Sequence, residues 1–562
     1  MSPTIQFTDA THGQTVTDPN APTDPGTAKA QYPGVNGVNG HVPPQSEFDY
    51  LVVGGGTSGS VIAARLSEDP DISVAVIEGG PTDVGLERVL NLQNWINLLG
   101  SDLDYDYPTV EQPRGNSHIR HSRARVLGGC SSHNTLISFR PFAEDLDSWA
   151  QLGAKGWDSH TLQPYGSRLL LQTAPVHLKD RNTTAKAWVE SCSKALGVPV
   201  IQDFNAAIAY NGGLPNGGVG FFPVSYDPHN MRRSSASVAY LHPIMDKRNN
   251  LKFFFETWAY GLVFDEKDPI KVIGVKVKSG QNGEEKVIKA KKEVIVCAGA
   301  FDSPKLLMLS GIGPKSELEQ LGIKSVIDLP GVGENLQDHP ESIIMWRARS
   351  SPKETVMTSD AGLFVRTDKS NPDPRPNLMF HIYQIPFTDN TERHGYEKPE
   401  HAVCMTPNIP RSRARGKVSL ASSNPLDKPL LNFRYFMDSE DYDSKILVEG
   451  IKLARKIAKT APFSSLIEDE IAPGPNVQTD EEIDEYARKV HHTVYHPSCT
   501  TKIGGDDDPM AVLDERCRVR GAKGLRVVDA GVFPTLSTVN PMVTILMVAE
   551  RASDLIKEDL YE

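Results

Sequence analysis

The stretch that decides the fold is Tyr50-Leu-Val-Val-Gly-Gly-Gly-Thr-Ser-Gly59-Ser-Val-Ile-Ala-Ala-Arg-Leu-Ser-Glu68. An apolar run is followed by closely set glycines and then by apolar residues at helical spacing, so it reads as strand, turn and helix. Gly54, Gly56 and Gly59 give the G-x-G-x-x-G spacing. In that motif the first glycine allows the tight turn, the second lets a pyrophosphate approach the backbone, and the third lets helix and strand pack closely. A helix starting near Thr57 and Ser58 turns its free N–H groups and positive dipole end toward the phosphates. A glycine-rich turn alone is a weak signal. Here a second apolar run, Ser73-Val-Ala-Val-Ile77, ends in Glu78, about 20 residues past the turn, where a carboxylate accepts from a ribose hydroxyl. Together these residues predict a dinucleotide site in a Rossmann-like α/β domain.

Outside that unit the chain is long enough, at 562 residues, to need a second hydrophobic core. Lys+Arg 59 against Asp+Glu 71 leaves a formal charge of −12, which argues against nucleic acid or an anionic membrane as the main partner. The cysteines (Cys130, Cys192, Cys297, Cys404, Cys499, Cys517) stand singly, with no C-x-x-C pair, and read as reduced thiols. No apolar run has the length of a membrane span and the N-terminus lacks signal-peptide regions, so a soluble, cytoplasmic enzyme is expected. Residues 1–47 are rich in Pro, Gly, Thr, Asp and Asn and read as a disordered tail or a contact arm between subunits.

Further along, Gly128-Gly-Cys-Ser-Ser-His133-Asn134 brings small residues and backbone close to something flat or charged. Runs such as Leu251-Lys-Phe-Phe-Phe and Val272-Ile-Gly-Val-Lys-Val277 suggest a β-rich insertion against the first lobe. The run Lys292-Glu-Val-Ile-Val-Cys-Ala-Gly-Ala300 reads as a buried parallel strand, with Ser303 and Pro304 starting a helix after it. Residues 341–489 are less regular, and the chain closes with Val490-His-His-Thr-Val-Tyr-His496-Pro, Gly524-Leu-Arg-Val-Val-Asp529 and a helix-like run after Asn540-Pro541.

These separated motifs resemble the glucose-methanol-choline family of flavin oxidoreductases, and within it the choline-oxidising branch. The resemblance covers nearly everything from Phe48 onward. It rests on the glycine turn, on Gly128-Gly129 with the Cys-Ser-Ser-His-Asn run after it, on Gly299-Ala-Phe-Asp-Ser-Pro-Lys-Leu-Leu-Met-Leu-Ser-Gly-Ile-Gly313, and on His496-Pro with Asn540-Pro. It implies an FAD-binding domain (48–175, 231–340 and 490–562) interleaved with an α+β substrate-binding domain containing an antiparallel sheet (176–230 and 341–489). It also implies FAD rather than NAD, held by Gly54, Gly56, Thr57, Ser58, Gly59, Glu78, Gly128, Gly129, Asn134, Asp529 and Pro541. The histidine of Gly-Cys-Ser-Ser-His-Asn, His133, is implied as the covalent link to the flavin 8α-methyl.

Alcohol oxidation by a flavin needs a group to take the hydroxyl proton and donors for the developing alkoxide. By resemblance His496 is that base or an alkoxide stabiliser, Asn540 a positioning donor, and His381 a second polar group. His491 and His492 carry no motif and read as surface or structural. A quaternary ammonium offers no N–H, so carboxylate charge and aromatic faces must hold it. Glu341, Trp95 and Tyr495 supply these in the resemblance, and Glu341 would be a sharp choline marker if buried. Two departures stand out: residues 354–364 lack the family's other cage tryptophan, and Thr135 replaces a serine near the flavin. Ser498-Cys499 after His-Pro is a further departure with no physical account. The implied reaction is choline to betaine aldehyde and glycine betaine with O2 giving H2O2, by a homodimer. The rivals are oxidation of another amino or aryl alcohol, a dehydrogenase, or a hydroxynitrile lyase on the same fold.

Overall fold

The computed structural model describes residues 46–210, 212–280, 283–352 and 355–560. The expected tail lies outside these except for Ser46 and Glu47, which already begin the first strand, Ser46–Val53. That strand is central in a seven-stranded sheet. It runs parallel to Val74–Ile77 on one side and to Glu285–Val296 on the other. Leu251–Phe254 continues the parallel order past Val74–Ile77, and Leu525–Val527 adds beside the end of Glu285–Val296. Val74 to Ile77 and Tyr50 to Val53 are buried without alternation, as strands covered on both faces are. The helices Thr57–Leu66 and Met542–Glu558 pack on each other over this sheet.

The expected β-rich insertion is instead a continuation of the same sheet. Thr257–Phe264 and Val272–Ser279 run antiparallel along the first half of Glu285–Val296, and Leu251–Phe254 belongs to the parallel core. Alternation reports which face of a strand is buried, while the edge it pairs with is set by the rest of the chain. The following helix also starts earlier than expected, at Gly299 rather than Ser303, and runs to Leu309. Pro304 therefore lies inside it and cannot donate to the carbonyl one turn back. That carbonyl, Ala300 O, takes the Thr500 hydroxyl instead, at 2.7 Å.

A second sheet of eight strands is antiparallel throughout. Its main order is Ile467–Ala472, Ile344–Ala348, Ala402–Asn408, Leu378–Tyr383, Ala361–Val365, Gly218–Phe221. The short strands Pro340–Glu341 and His492–Thr493 close its end beside Asn408. His492–Thr493 thus pairs within this sheet, just after residue 490, from which the last interval of the cofactor domain is expected. The helix Tyr442–Ala458 covers Ala402–Asn408 from one side. One apolar cluster runs through both sheets. Among the described residues no helix is long and apolar enough to cross a membrane.

Candidate active site

The glycine turn has room on one side only. A Cβ on Gly54 would stand 2.5 Å from Cys297 O and one on Gly59 1.9 Å from Gly54 O, whereas at Gly56 the nearest atom is 3.8 Å away. Ser58 and Thr57 open the helix Thr57–Leu66, which has no side-chain cap, so its first N–H groups are available to an anion. At the next strand end Glu78 Oε2 accepts from Gly55 N–H at 2.9 Å and Oε1 from Gly80 N–H at 2.7 Å. Burial pushes this carboxyl up to about 7, and each oxygen keeps a second lone pair for a ribose hydroxyl. This donor and acceptor set fits the diphosphate and ribose of FAD.

The Gly128 segment lies directly against that turn, since a Cβ on Gly129 would fall 2.7 Å from Gly56 Cα. Gly128 and Gly129 both take left-handed conformations, at φ +84° and +54°, which favour glycine. Four residues on, His133 is buried and its Nε2 lies 2.9 Å from Leu98 O. A carbonyl only accepts, so Nε2 carries the hydrogen. Burial holds the ring down to about 4 and therefore neutral. Asn134 Oδ1 takes Leu136 N–H at 2.9 Å, and Thr135 between them is half-buried. Asp529 spends its carboxylate on Gly299 N–H at 2.9 Å, Gly531 N–H at 2.7 Å and the Ser303 hydroxyl at 2.5 Å. It thereby fixes the open backbone at Gly299, where a Cβ would meet nothing within 4 Å. Pro541 precedes the helix Met542–Glu558 as its cap.

His496 and Asn540 face each other, with Asn540 Nδ2 3.4 Å from His496 Nε2. A third residue fixes their hydrogen positions. His339 Nε2 lies 3.0 Å from Ser537 O and must donate to it. Burial holds His339 at about 4, hence neutral, so its Nδ1 is a bare acceptor. His496 Nδ1, 2.8 Å away, must then donate to it, which leaves the lone pair of His496 on Nε2, toward Asn540. Burial, followed by the nearby His339, His381 and Arg123, holds His496 well below its ordinary value. Asn540 Oδ1 is buried and has no partner among the described residues. Asp338, beside His339, accepts from His496 N–H at 2.9 Å, Tyr435 OH at 2.6 Å and Thr493 OH at 2.5 Å. Burial raises its carboxyl, but His121 and these hydroxyls outweigh that and hold it below the usual range.

Glu341 is 1% exposed, which excludes a solvated acid. Its strand register sets it between His492 and Asn408. Oε2 makes no full hydrogen bond among the described residues; burial pushes the carboxyl up to about 8, with the nearby Thr406 hydroxyl offsetting part of that rise. Starting from its register partner His492 runs a belt of rings, with centroids 5.2 Å apart for Tyr383 and Phe387, 5.3 Å for Phe387 and His492, and 5.2 Å for His492 and Tyr495; the Glu341 charge acts on both Tyr383 and Tyr495. His381, on the same strand as Tyr383, is buried and lies with Nδ1 3.3 Å from Asn408 Nδ2. Burial holds it at about 3, so it is neutral, with Nε2–H as the donor it offers. Trp95 is buried, and its Nε1–H donates to Met357 O at 2.9 Å, which ties it to the 355–360 loop.

The structure thus joins His496, Asn540 and Tyr495 at one end and the glycine turn, Glu78 and the Gly128 segment at the other. Sequence reasoning missed His339, Asp338, Tyr383, Phe387 and His492. His492, expected to be surface or structural, is buried with Nδ1 2.8 Å from Thr493 O, and its strand register sets it beside Glu341. His491 is indeed structural, with Nδ1 3.0 Å from Asn116 N–H. A signal for His339 existed: it stands two residues before Glu341, and alternate residues of extended chain share a face.

A Rossmann-like domain with an anion-ready glycine turn, joined to a sheet that presents a neutral histidine beside an asparagine, defines an FAD-dependent enzyme that oxidises alcohols at CH–OH. The chain belongs to the GMC oxidoreductase family, whose N-terminal and C-terminal models match residues 48–341 and 410–549. It is 42% identical over 528 residues to a choline oxidase of Arthrobacter globiformis, covering 91% of this chain and 94% of the relative. It is 34% identical over 565 residues to an oxygen-dependent choline dehydrogenase of Vibrio vulnificus, with the same 91% and 94% coverage. Among solved structures, pyridoxine 4-oxidase from Mesorbium loti superposes with a TM-score of 0.81 at 25% identity, over 91% of this chain and 99% of that one. Formate oxidase of Aspergillus oryzae shares the fold, with a TM-score of 0.82 at 24% identity over 92% of this chain and 99% of its own.

Proposed function

We propose that this enzyme oxidises choline to betaine aldehyde and on to glycine betaine, with O2 as the acceptor and H2O2 as the by-product. The observation that carries the reading is Glu341, a buried carboxyl whose Oε2 makes no full hydrogen bond among the described residues and which lies beside the linked rings of His492, Phe387 and Tyr383. The nearest basic side chain, His492, stands 4.0 Å away and is held neutral by burial, so it does not balance the carboxylate. Such a group is costly to ionise alone and favourable once a cation arrives. The likeness to the choline oxidase of Arthrobacter globiformis supports the same substrate.

In this reading His496 Nε2 takes the hydroxyl proton, while Asn540 Nδ2 and His381 Nε2–H donate to the oxygen as it becomes an alkoxide. Bound FAD supplies the acceptor for the hydride. Hydrated betaine aldehyde is again an alcohol, so the same groups act a second time. His133 carries the cofactor through its 8α-methyl group, and the enzyme works as a cytoplasmic homodimer. A second reading, an uncharged or aryl alcohol, is favoured by the neutral state of Glu341 below about pH 8 when no cation is bound.

The deciding experiment adds choline to the FAD-loaded enzyme without oxygen, then admits air. Bleaching of the flavin followed by stoichiometric peroxide is expected. Bleaching reversed only by an artificial acceptor makes the enzyme a dehydrogenase, and bleaching by aryl alcohol but not choline selects the second reading. Flavin fluorescence that stays with the denatured chain on a gel tests the bond to His133, and release of the flavin by acid sinks it.

A further inference from the structure

The loop that carries Asn540 is held from a helix remote in sequence. Asp145 and Trp149 stand one turn apart on Ala143–Gln151 and so share a face. Trp149 Nε1 donates to Thr535 O at 2.8 Å. Asp145 Oδ2 accepts Thr538 N–H at 2.9 Å and Oδ1 accepts the Thr538 hydroxyl at 2.6 Å. Arg411 donates to that hydroxyl oxygen at 3.1 Å, so the hydrogen of Thr538 is free only for Asp145. Arg375 donates to Asp145 Oδ1 at 2.9 Å, and the first turn of a helix is itself favourable for a carboxylate. Asp145 is 1% exposed. The clamped residue stands between two working groups: Ser537, whose carbonyl accepts from His339, and Asn540, which faces His496.

We propose that Asp145 is a positioning residue for alcohol oxidation: by clamping Thr538 it sets Ser537 O, and through it the tautomers of His339 and His496. The inference rests on the role of His496 and Asn540 in the proposed chemistry but not on which alcohol is oxidised. If Thr538 shifts, Ser537 O no longer holds His339 Nε2–H, the ring is free to exchange its hydrogen, and the lone pair on His496 Nε2 is no longer assured.

Thr538→Val and Asp145→Asn test this in the FAD-loaded enzyme, with Thr538→Ser as the conservative control. The tautomers are read without any substrate, from 15N shifts of labelled histidines. One fixed tautomer for His339 and His496 is expected in the unaltered enzyme, and mixtures in Thr538→Val and Asp145→Asn. With whichever alcohol bleaches the flavin, each variant should slow flavin reduction about 10-fold, as sub-ångström misplacement does. Binding of a non-reacting ligand should stay within about 2-fold, and the double variant should be no slower than the worse single one, because both break one network. Thr538→Ser should restore the rate and the tautomers. Unchanged histidine spectra in variants that merely melt earlier would overturn the proposal, as would losses that multiply. A failure of every alcohol to bleach the flavin would count against the oxidation chemistry alone, since the spectra report on the clamp regardless.

Discussion

Glu341 and His492 are register partners on adjoining antiparallel strands, both buried, yet Glu341 Oε1 stops 4.0 Å from His492 Nδ1. That is too long for a hydrogen bond. His492 Nδ1 instead lies 2.8 Å from Thr493 O and donates there, and burial holds the ring below its ordinary value and neutral. The two groups are neighbours without being an ion pair.

Cation affinity should therefore rise with pH. Glu341, pushed up to about 8 by burial, is protonated below that value when no cation is bound, and a cation draws its pKa back down. Binding below pH 8 then releases a proton, and affinity climbs about tenfold per pH unit before levelling off. A flavin-absorbance titration with a trimethylammonium compound lacking the hydroxyl group checks this, and a flat profile contradicts it. In Glu341→Gln the profile should flatten and affinity should fall by on the order of 10²-fold. The linkage has a stability counterpart. The folded state holds a proton that the unfolded state has lost, so the ligand-free enzyme loses stability as pH rises from the ordinary carboxyl range through about 8. Glu341→Gln should melt with less dependence on pH over that window.

His339→Ala removes the acceptor for His496 Nδ1–H and leaves Ser537 O without its donor. Flavin reduction should slow by roughly 10²-fold, the scale of one lost contribution to proton transfer, with ligand affinity little changed. Stopped-flow reduction against a static binding titration separates the two.

Phe387→Ala opens the ring belt between Tyr383 and His492. Losing one desolvated cation–π face should weaken a trimethylammonium ligand about tenfold and an uncharged alcohol far less. Equal weakening of both ligands would remove Phe387 from cation recognition.

Thr500→Val leaves Ala300 O, already deprived of a helical donor by Pro304, without the hydroxyl that satisfies it. A buried unsatisfied carbonyl costs about 1–3 kcal/mol. The urea midpoint should fall accordingly, and Thr500→Ser should restore it.

Much of the cofactor half was legible because its signals are local. Gly54, Gly56, Gly59 and Glu78 lie within one strand–turn–helix–strand passage, and each is explained by what its own neighbours leave room for. Gly128 and Gly129 were visible in the same way, as a glycine pair opening a run of small residues, whereas His133 at the end of that run drew its role from the family resemblance alone. The substrate half was less legible because it is assembled by pairing. Tyr383, Phe387, His492 and Tyr495 come from different strands and loops, and their sequence separations say nothing of register. The same ignorance of pairing turned Thr257–Phe264 and Val272–Ser279 into an expected insertion when they are the first sheet's own edge. The start of the helix at Gly299 was misplaced because a proline is favoured in a first turn. Here a threonine more than a hundred residues away makes Pro304 tolerable deeper in.

Residues 337–341 direct Gln337 to the loop 535–536, Asp338 to the backbone of His496, His339 to its ring and Glu341 to the ring belt. In the proposed chemistry, turnover and substrate choice therefore share one short piece of backbone. Remodelling the pocket for a differently charged alcohol by altering this piece would disturb the proton acceptor along with the recognition. The opposite wall, Tyr383 and Phe387, has no bond to His496 or His339 among the described residues, and is the side from which specificity can drift, or be engineered, while the rate is kept.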